Sequence, residues 1–160
     1  MKNMFIIFSV IIIIFFTGCS SKMNLEKKSV LVMLKTDKLK YYDTGFLALD
    51  DIFLHLELFN VSTPIVTIKI ENNEICFDKN CLEKRAFVDE YLSKYYEQDI
   101  LFNIFSGKEI FNAKNLIHES GGFTQYIKDE NLDIIYIVNS KEINFYDNFN
   151  GIKIKLKKLK

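Results

Sequence analysis

The apolar residues of this chain alternate with period two, switch to a period near 3.6, then return to two. That order (strands, then helices, then strands) restricts the fold more than any single residue does. From residue 30 to residue 77 the signal is β. Residues 30–34 are a short apolar run, and 39–49 are mixed, with Gly45 as a candidate bulge or kink. Next, Ile52, Leu54, Leu56 and Leu58 fall on one face, and Phe53, His55, Glu57 and Phe59 on the other. Residues 60–64 connect to a run in which Val66, Ile68 and Ile70 oppose Thr67 and Lys69. Residues 71–74 form a turn and 75–77 a returning strand. Closely spaced strands with short turns predict an antiparallel meander.

From Cys81 the spacing changes. Phe87, Val88, Tyr91, Leu92 and Tyr95 recur at helical intervals and predict a helix over 82–96. Asp99 is a suitable N-cap for a shorter helix over 100–106, ended by Gly107. Ile100, Leu101, Ile104 and Phe105 form one stripe along it. Residues 111–122 are the least legible, and Gly121-Gly122 reads as a loop. Residues 123–127 and 132–138 are strand-like. The chain closes on a hairpin, 143–146 and 152–156, around Asn150-Gly151, a dipeptide favoured in tight hairpin turns. Ile152, Ile154 and Leu156 point inward; Lys153, Lys155 and Lys157 point to water. The predicted fold class is α+β: a curved antiparallel half-barrel sheet with two or three helices packed on its concave face.

The N-terminus carries a different signal. Lys2 precedes twelve apolar residues between Met4 and Phe16, broken only by Ser9. One early cation, a short apolar run and small residues before a cut site are the parts of a secretory signal peptide. The run is shorter than the roughly 20 residues of a comfortable spanning helix; the alternative is an uncleaved membrane anchor. Phe16-Thr17-Gly18-Cys19 resembles the bacterial lipobox, with Phe16 in place of the usual Leu. The resemblance implies a diacylglycerol on the Cys19 sulfur and a further acyl chain on its amine. Several chains anchor firmly, because each buried CH₂ contributes about 0.8 kcal/mol. Ser20, and not Asp, follows the Cys. By the sorting rule of such lipoproteins this implies the outer membrane, with the protein on its periplasmic face. The expected divisions are residues 1–18 as signal, 19–28 as lipidated N-terminus and polar tether, and 29–160 as one domain. Apart from the covalent lipid, no cofactor is expected.

Lys and Arg together number 21, as do Asp and Glu, for a formal net charge of zero. A nucleic-acid partner would call for a strong basic excess, and none is expected. The aliphatic and aromatic content argues against disorder. Cys76 and Cys81 remain after Cys19. In an oxidising compartment a disulfide across the turn Asp78-Lys79-Asn80 is the favoured reading. Two free thiols or a metal pair are the alternatives, with no His or third Cys nearby. His55 and His118 lack the carboxylate pattern of a catalytic pair. Asp50-Asp51 is better read as a turn leading into a strand than as paired carboxylates. No nucleophile elbow, zinc motif, phosphate loop or C-x-x-C is present. The sequence predicts no catalytic residue and no metal site. The Lys-rich end, 153–160, reads as the solvent face of a strand, with a membrane-surface role as the alternative.

The order of these pieces resembles the LolB family, outer-membrane lipoproteins that receive other lipoproteins from a periplasmic carrier. Residues 52–77 look like that family's central strand pair and connecting loop. Residues 99–107 look like its short helix, and 143–159 like its closing hairpin. Two positions depart from the pattern. The chain has no Trp, and Ile104 stands where the family's helix carries one. Val61 stands in the loop where the family exposes a Leu that passes cargo to the membrane. The resemblance implies an apolar cavity for acyl chains. Its candidate lining is Leu54, Leu56, Val66 and Ile68 from the strands, and Ile100, Leu101, Ile104 and Phe105 from the short helix. The implied partners are a LolA-like periplasmic carrier, acylated lipoprotein cargo and the outer membrane, served by a monomer. The alternative is an envelope assembly lipoprotein that uses the same fold to hold a protein partner. Replacing the lipobox cysteine, Cys19→Ala, is expected to release the protein from membranes on fractionation.

Overall fold

The computed structural model describes residues 25–61 and 63–160. Within them the chain forms one open antiparallel sheet of eleven strands with two α-helices. The first six strands are β1 (Lys28–Lys35), β2 (Lys40–Leu49), β3 (Leu54–Asn60), β4 (Thr63–Glu71), β5 (Glu74–Phe77) and β6 (Asn80–Glu83). Helices α1 (Lys84–Tyr91) and α2 (Ile100–Ser106) follow. The chain then adds β7 (Leu116–Glu119), β8 (Gly122–Lys128), β9 (Asp133–Asn139), β10 (Glu142–Asp147) and β11 (Ile152–Lys158). Along the sheet the order is β6-β5-β4-β3-β2-β1-β11-β10-β9-β8-β7. Each half is a simple meander, and the first and last strands join the halves at the centre.

One face of the sheet is apolar along its whole width. Leu47, Leu56, Ile68 and Phe77 lie opposite one another across β2 to β5. Tyr41, Leu34, Ile154, Phe145, Tyr136 and Gln125 do the same from β2 through β1 to β8. Period-two alternation places these residues together on the face covered by the helices. From the helices, Phe87 and Val88 of α1, and Ile100, Leu101, Ile104 and Phe105 of α2, complete the core. Gly45 is not a bulge. It lies within regular pairing, opposite Leu58 on one side and Val30 on the other. A Cβ there would stand 2.2 Å from the Glu57 carbonyl oxygen, so the close approach of β3 demands glycine.

Several sequence expectations need correction. The strand expected from Ile52 begins at Leu54, and Ile52 is 72% exposed. The Asp50 carboxylate accepts the N–H groups of Ile52 and Phe53 at 2.9 and 2.8 Å, holding those residues in a turn. The first helix is shorter than its apolar spacing implies. Residues 80–83 pair with β5 as β6, and Leu92, at φ −122° and ψ −99°, ends the helix. Tyr95 and Tyr96 therefore lie in the connector. The second helix has the expected bounds, and Gly107 closes it at φ 70°. Asp99 makes no side-chain cap; its carboxylate pairs with Lys84 at 2.7 Å. Residues 116–119 form β7, and Gly121-Gly122 makes its turn into β8.

Two buried polar side chains tie the irregular segments to the sheet. Asp147 is 1% exposed at the end of β10. Its carboxylate accepts the Tyr96 hydroxyl and the Asn150 amide, each at 2.7 Å, and the Phe149 N–H at 2.9 Å. It thereby fixes the helix connector to the last hairpin. Burial first, and then Asp147, push the Tyr96 phenol far above its ordinary pKa, so it stays a donor. Gln125 is fully buried. Its carbonyl accepts the Ile110 N–H at 2.9 Å, and its amide donates to Ile110 O and Lys114 O at 2.9 and 3.0 Å. These bonds hold a turn in which Phe111, Asn112 and Ala113 are all left-handed, at φ 48°, 52° and 57°.

The left-handed conformation costs a non-glycine residue roughly 1–2 kcal/mol. Ala113 offers no side-chain hydrogen bond in return. Ala113→Gly is therefore expected to stabilise the fold by about 0.5–1 kcal/mol, the gain being reduced by glycine's unfolded-state entropy. Chemical denaturation checks this, and a loss of stability would show that the turn carries no strain.

Candidate functional site

Three places have the make-up of a site: the inner face beneath α2, the tip of the β3–β4 hairpin, and the disulfide at the β5–β6 edge. The inner face is built where α2 lies on the sheet centre. Its stripe seats Ile100, Leu101, Ile104 and Phe105, and burying each contributes about 1.5–3 kcal/mol relative to exposure. Its C-terminal turn is fixed from two sides. The Gly107 N–H donates to Ile104 O at 3.1 Å, and the Lys108 N–H to Asn103 O at 2.9 Å. The buried Tyr136 hydroxyl rises from β9 to donate to Lys108 O at 3.0 Å. Burial pushes that phenol well above its ordinary pKa. Glycine is required at 107 by packing as well as by φ. A Cβ would meet Val138 and Ile143 side chains at 3.3 and 3.4 Å.

The eight candidate lining residues do come together, but as a packed interior. Leu54, Leu56, Val66, Ile68, Ile100, Leu101, Ile104 and Phe105 are each between 0 and 3% exposed and belong to one core cluster. They fill one continuous buried cluster, which is what close packing of aliphatic side chains produces. Of the eight, Phe105 also reaches an open recess. This recess lies beneath the end of α2, between Leu47, Leu49, Val138 and Ile143, with Lys28 and Lys158 at its rim. Its volume is about 190 Å³, below the roughly 300–1,000 Å³ usual for ligand sites. Sequence reasoning missed Leu47, Leu49, Val138 and Ile143. Alternation assigns each to the inner face of its own strand. It does not reveal that β1 pairs with β11, the contact that brings β2 and β10 to one mouth.

The hairpin tip is the second place. Val61 follows β3 at φ 45° and is 92% exposed. The neighbouring strands hold it there: Phe59 pairs with Pro64, and Asn60 with Thr63, past an irregularity at Leu58/Phe59. Pro64 is tolerated because β5 pairs with β4 only from Ile68 onward, leaving the other side of β4 unpaired at residue 64.

At the third place Cys76 and Cys81 face each other across β5 and β6 and are joined as a disulfide. Glu74 lies close to both sulfurs, but each sulfur is already bonded to the other, so neither is a thiolate for a metal ion. His55 is on the outer face, 3.6 Å from Glu57 and edge-on to Phe53. His118 is exposed on β7. Asp50 is the turn residue described above, and Asp51 is exposed. Cys19 lies outside the described residues. Among the described residues no helix is long and apolar enough to cross a membrane.

Alkylation followed by mass measurement checks the disulfide. Cys76 and Cys81 are expected to remain unlabelled until a reductant is added, and ready labelling of the untreated protein would contradict the bond. No protein-family model matches the chain, and no curated protein is significantly similar to it.

Proposed function

We propose that the chain is a LolB-like outer-membrane lipoprotein that accepts acylated lipoproteins from a LolA-like periplasmic carrier and passes them to the membrane. In this reading Cys19 bears the lipid anchor. The sheet is a half-barrel whose concave face is lidded by the two helices, and the protein works as a monomer without catalytic residues. The observation that carries the reading is Val61. A β-branched residue at φ 45° is strained, and Asn or Gly would sit in that turn more stably. An apolar side chain held at a hairpin tip with 92% of its surface in water has the placement a bilayer contact needs. Val gives up less apolar area than the family's Leu, so the insertion is shallower.

The recess beneath α2 supports the same reading as an entry point. An acyl chain longer than the recess needs α2 to lift from the sheet, exposing the stripe of Ile100, Leu101, Ile104 and Phe105. The sheet below is hydrogen-bonded on both sides of this point and stays in place.

A second reading is favoured by the filled interior: an envelope assembly lipoprotein that holds a protein partner with the same fold. Uptake of a fluorescent fatty acid by the purified protein separates the two. Uptake supports cargo reception. No uptake, with one stoichiometric partner on isolation, supports assembly.

The decisive test is depletion with complementation. Loss of the protein is expected to leave lipoproteins bound to their periplasmic carrier. Val61→Glu is expected to act as a loss of function at unchanged thermal stability, and Val61→Leu to restore transfer fully. Normal outer-membrane lipoprotein levels after depletion would overturn the proposal.

A further inference from the structure

The outer face of the sheet carries a charge pattern that the rest of the fold does not require. Across β11, β1 and β2, the lysines Lys153, Lys35 and Lys40 stand directly opposite one another in register. On the same face the next row along places Lys155 beside Met33 and Tyr42, and the row after that places Lys157 beside Leu31 and Thr44. Like charges directly opposed across neighbouring strands destabilise a sheet. Acidic neighbours would relieve this, yet none of the five lysines forms an ion pair among the described residues. One acid, Glu142, stands opposite Lys157, accepts the Asn144 amide at 3.1 Å and offsets part of the charge at Lys155, whereas the row of Lys153, Lys35 and Lys40 contains no acid. A face that is merely solvated gains nothing from such a row. An anionic surface laid against it converts the repulsion into attraction.

The side chains between the lysines define what kind of surface. Tyr146 lies opposite Lys153 and under the Lys155 ammonium, whose nitrogen is 5.3 Å from the ring centre. Tyr42 and Tyr126, 62 and 50% exposed, flank the patch on either side. Met33 and Leu31 supply aliphatic floor to a shallow groove of about 270 Å³ between Tyr42 and Lys155. Phe46, 42% exposed and edge-on to Phe59, continues the apolar part across β2 and β3. Tyrosines with lysines whose stems lie on apolar floor are the residues that settle at the headgroup level of a bilayer. An acidic protein would match the charge but leave the exposed tyrosine rings without a use.

The position of the chain's leading segment agrees. Lys27, at the entry to β1, reaches across the outer face to Glu57 at 3.1 Å. From there, eight residues back to Cys19 span at most about 29 Å. A lipid on Cys19 therefore keeps this face within reach of the membrane. We infer that the outer face of β11, β1 and β2 is a docking surface for an anionic lipid bilayer, on which the sheet rests by these central strands with its helices turned away. The inference uses the proposed lipid anchor and is independent of the acyl-cargo reading.

The full-length protein, reconstituted in vesicles and treated with an impermeant lysine reagent, tests it by mass spectrometry. On vesicles with about 30% phosphatidylglycerol in phosphatidylcholine, labelling of Lys35, Lys153, Lys155 and Lys157 is expected to fall at least about fivefold relative to pure phosphatidylcholine. Lys94 and Lys114, away from this face, serve as controls and should not change. Salt at about 0.5 M should restore labelling, because it screens surface charge. The double variant Lys35→Thr, Lys153→Thr should lose the protection of Lys155 and Lys157 while keeping or raising its melting temperature. Flotation of the protein with both vesicle types, with equal labelling on each, would overturn the docking surface and leave the anchor standing. Flotation with anionic vesicles only would support the surface and count against the anchor. Flotation with neither would overturn both.

Discussion

Everything in this molecule depends on covering one apolar sheet face. The sheet has eleven strands, and an open sheet of that width curls instead of lying flat. Among the described residues, its only α-helical cover is two helices of eight and seven residues. Neither is long enough to be stable alone in water. Each exists because its apolar stripe lands on the sheet, and the sheet stays dry because they land there. The connectors share the cover: Tyr96 packs edge-on against Phe145, and Phe111 packs edge-on against Tyr96. Irregular chain over a core brings unpaired backbone groups with it. Asp147 and Gln125 answer that need, and each does so with every polar atom engaged.

This accounts for which parts of the fold were legible in the sequence. Alternation assigned Leu54, Leu56, Val66, Ile68 and the closing hairpin to the inner face, because period two follows directly from the pleat. The stripe of the second helix was equally plain. Ile52 misled because it continues the alternation into a turn that the Asp50 carboxylate controls. Residues 80–83 misled because Leu82 fits a helical period as well as a strand, and the Cys76–Cys81 pairing settles it. Asp99 has the composition of a cap, but Lys84 captures its carboxylate. The Asp50 turn is local, but it overrides the alternation that runs through it; the other two are decided by partners five and fifteen residues away, beyond the reach of a local pattern.

The candidate site was less legible than the fold for a related reason. Core walls and cavity walls are made of the same side chains, so pattern alone does not separate them. Here the helix stripe and the strand residues belong to one buried cluster, and the recess that Phe105 reaches lies where α2 ends. The outer face shows the reverse case. Its lysines looked like an ordinary solvated strand edge one strand at a time. Their meaning comes from pairing three strands that are far apart in the chain.

That same pairing bears on how the protein comes into being. β1 and β11 are the first and last strands made, and they meet in the middle of the sheet and not at its rim. Half-meanders form from near neighbours, but the seam between them requires contact across nearly the whole chain, the kind that slows folding. Until residues 152–158 arrive, β1 is a bare edge and the two halves have no common core. A chain whose last strand has not yet been released cannot finish folding, whatever its first half has done. Its last seven strand residues act as the clasp, and loss of them divides the molecule instead of trimming it.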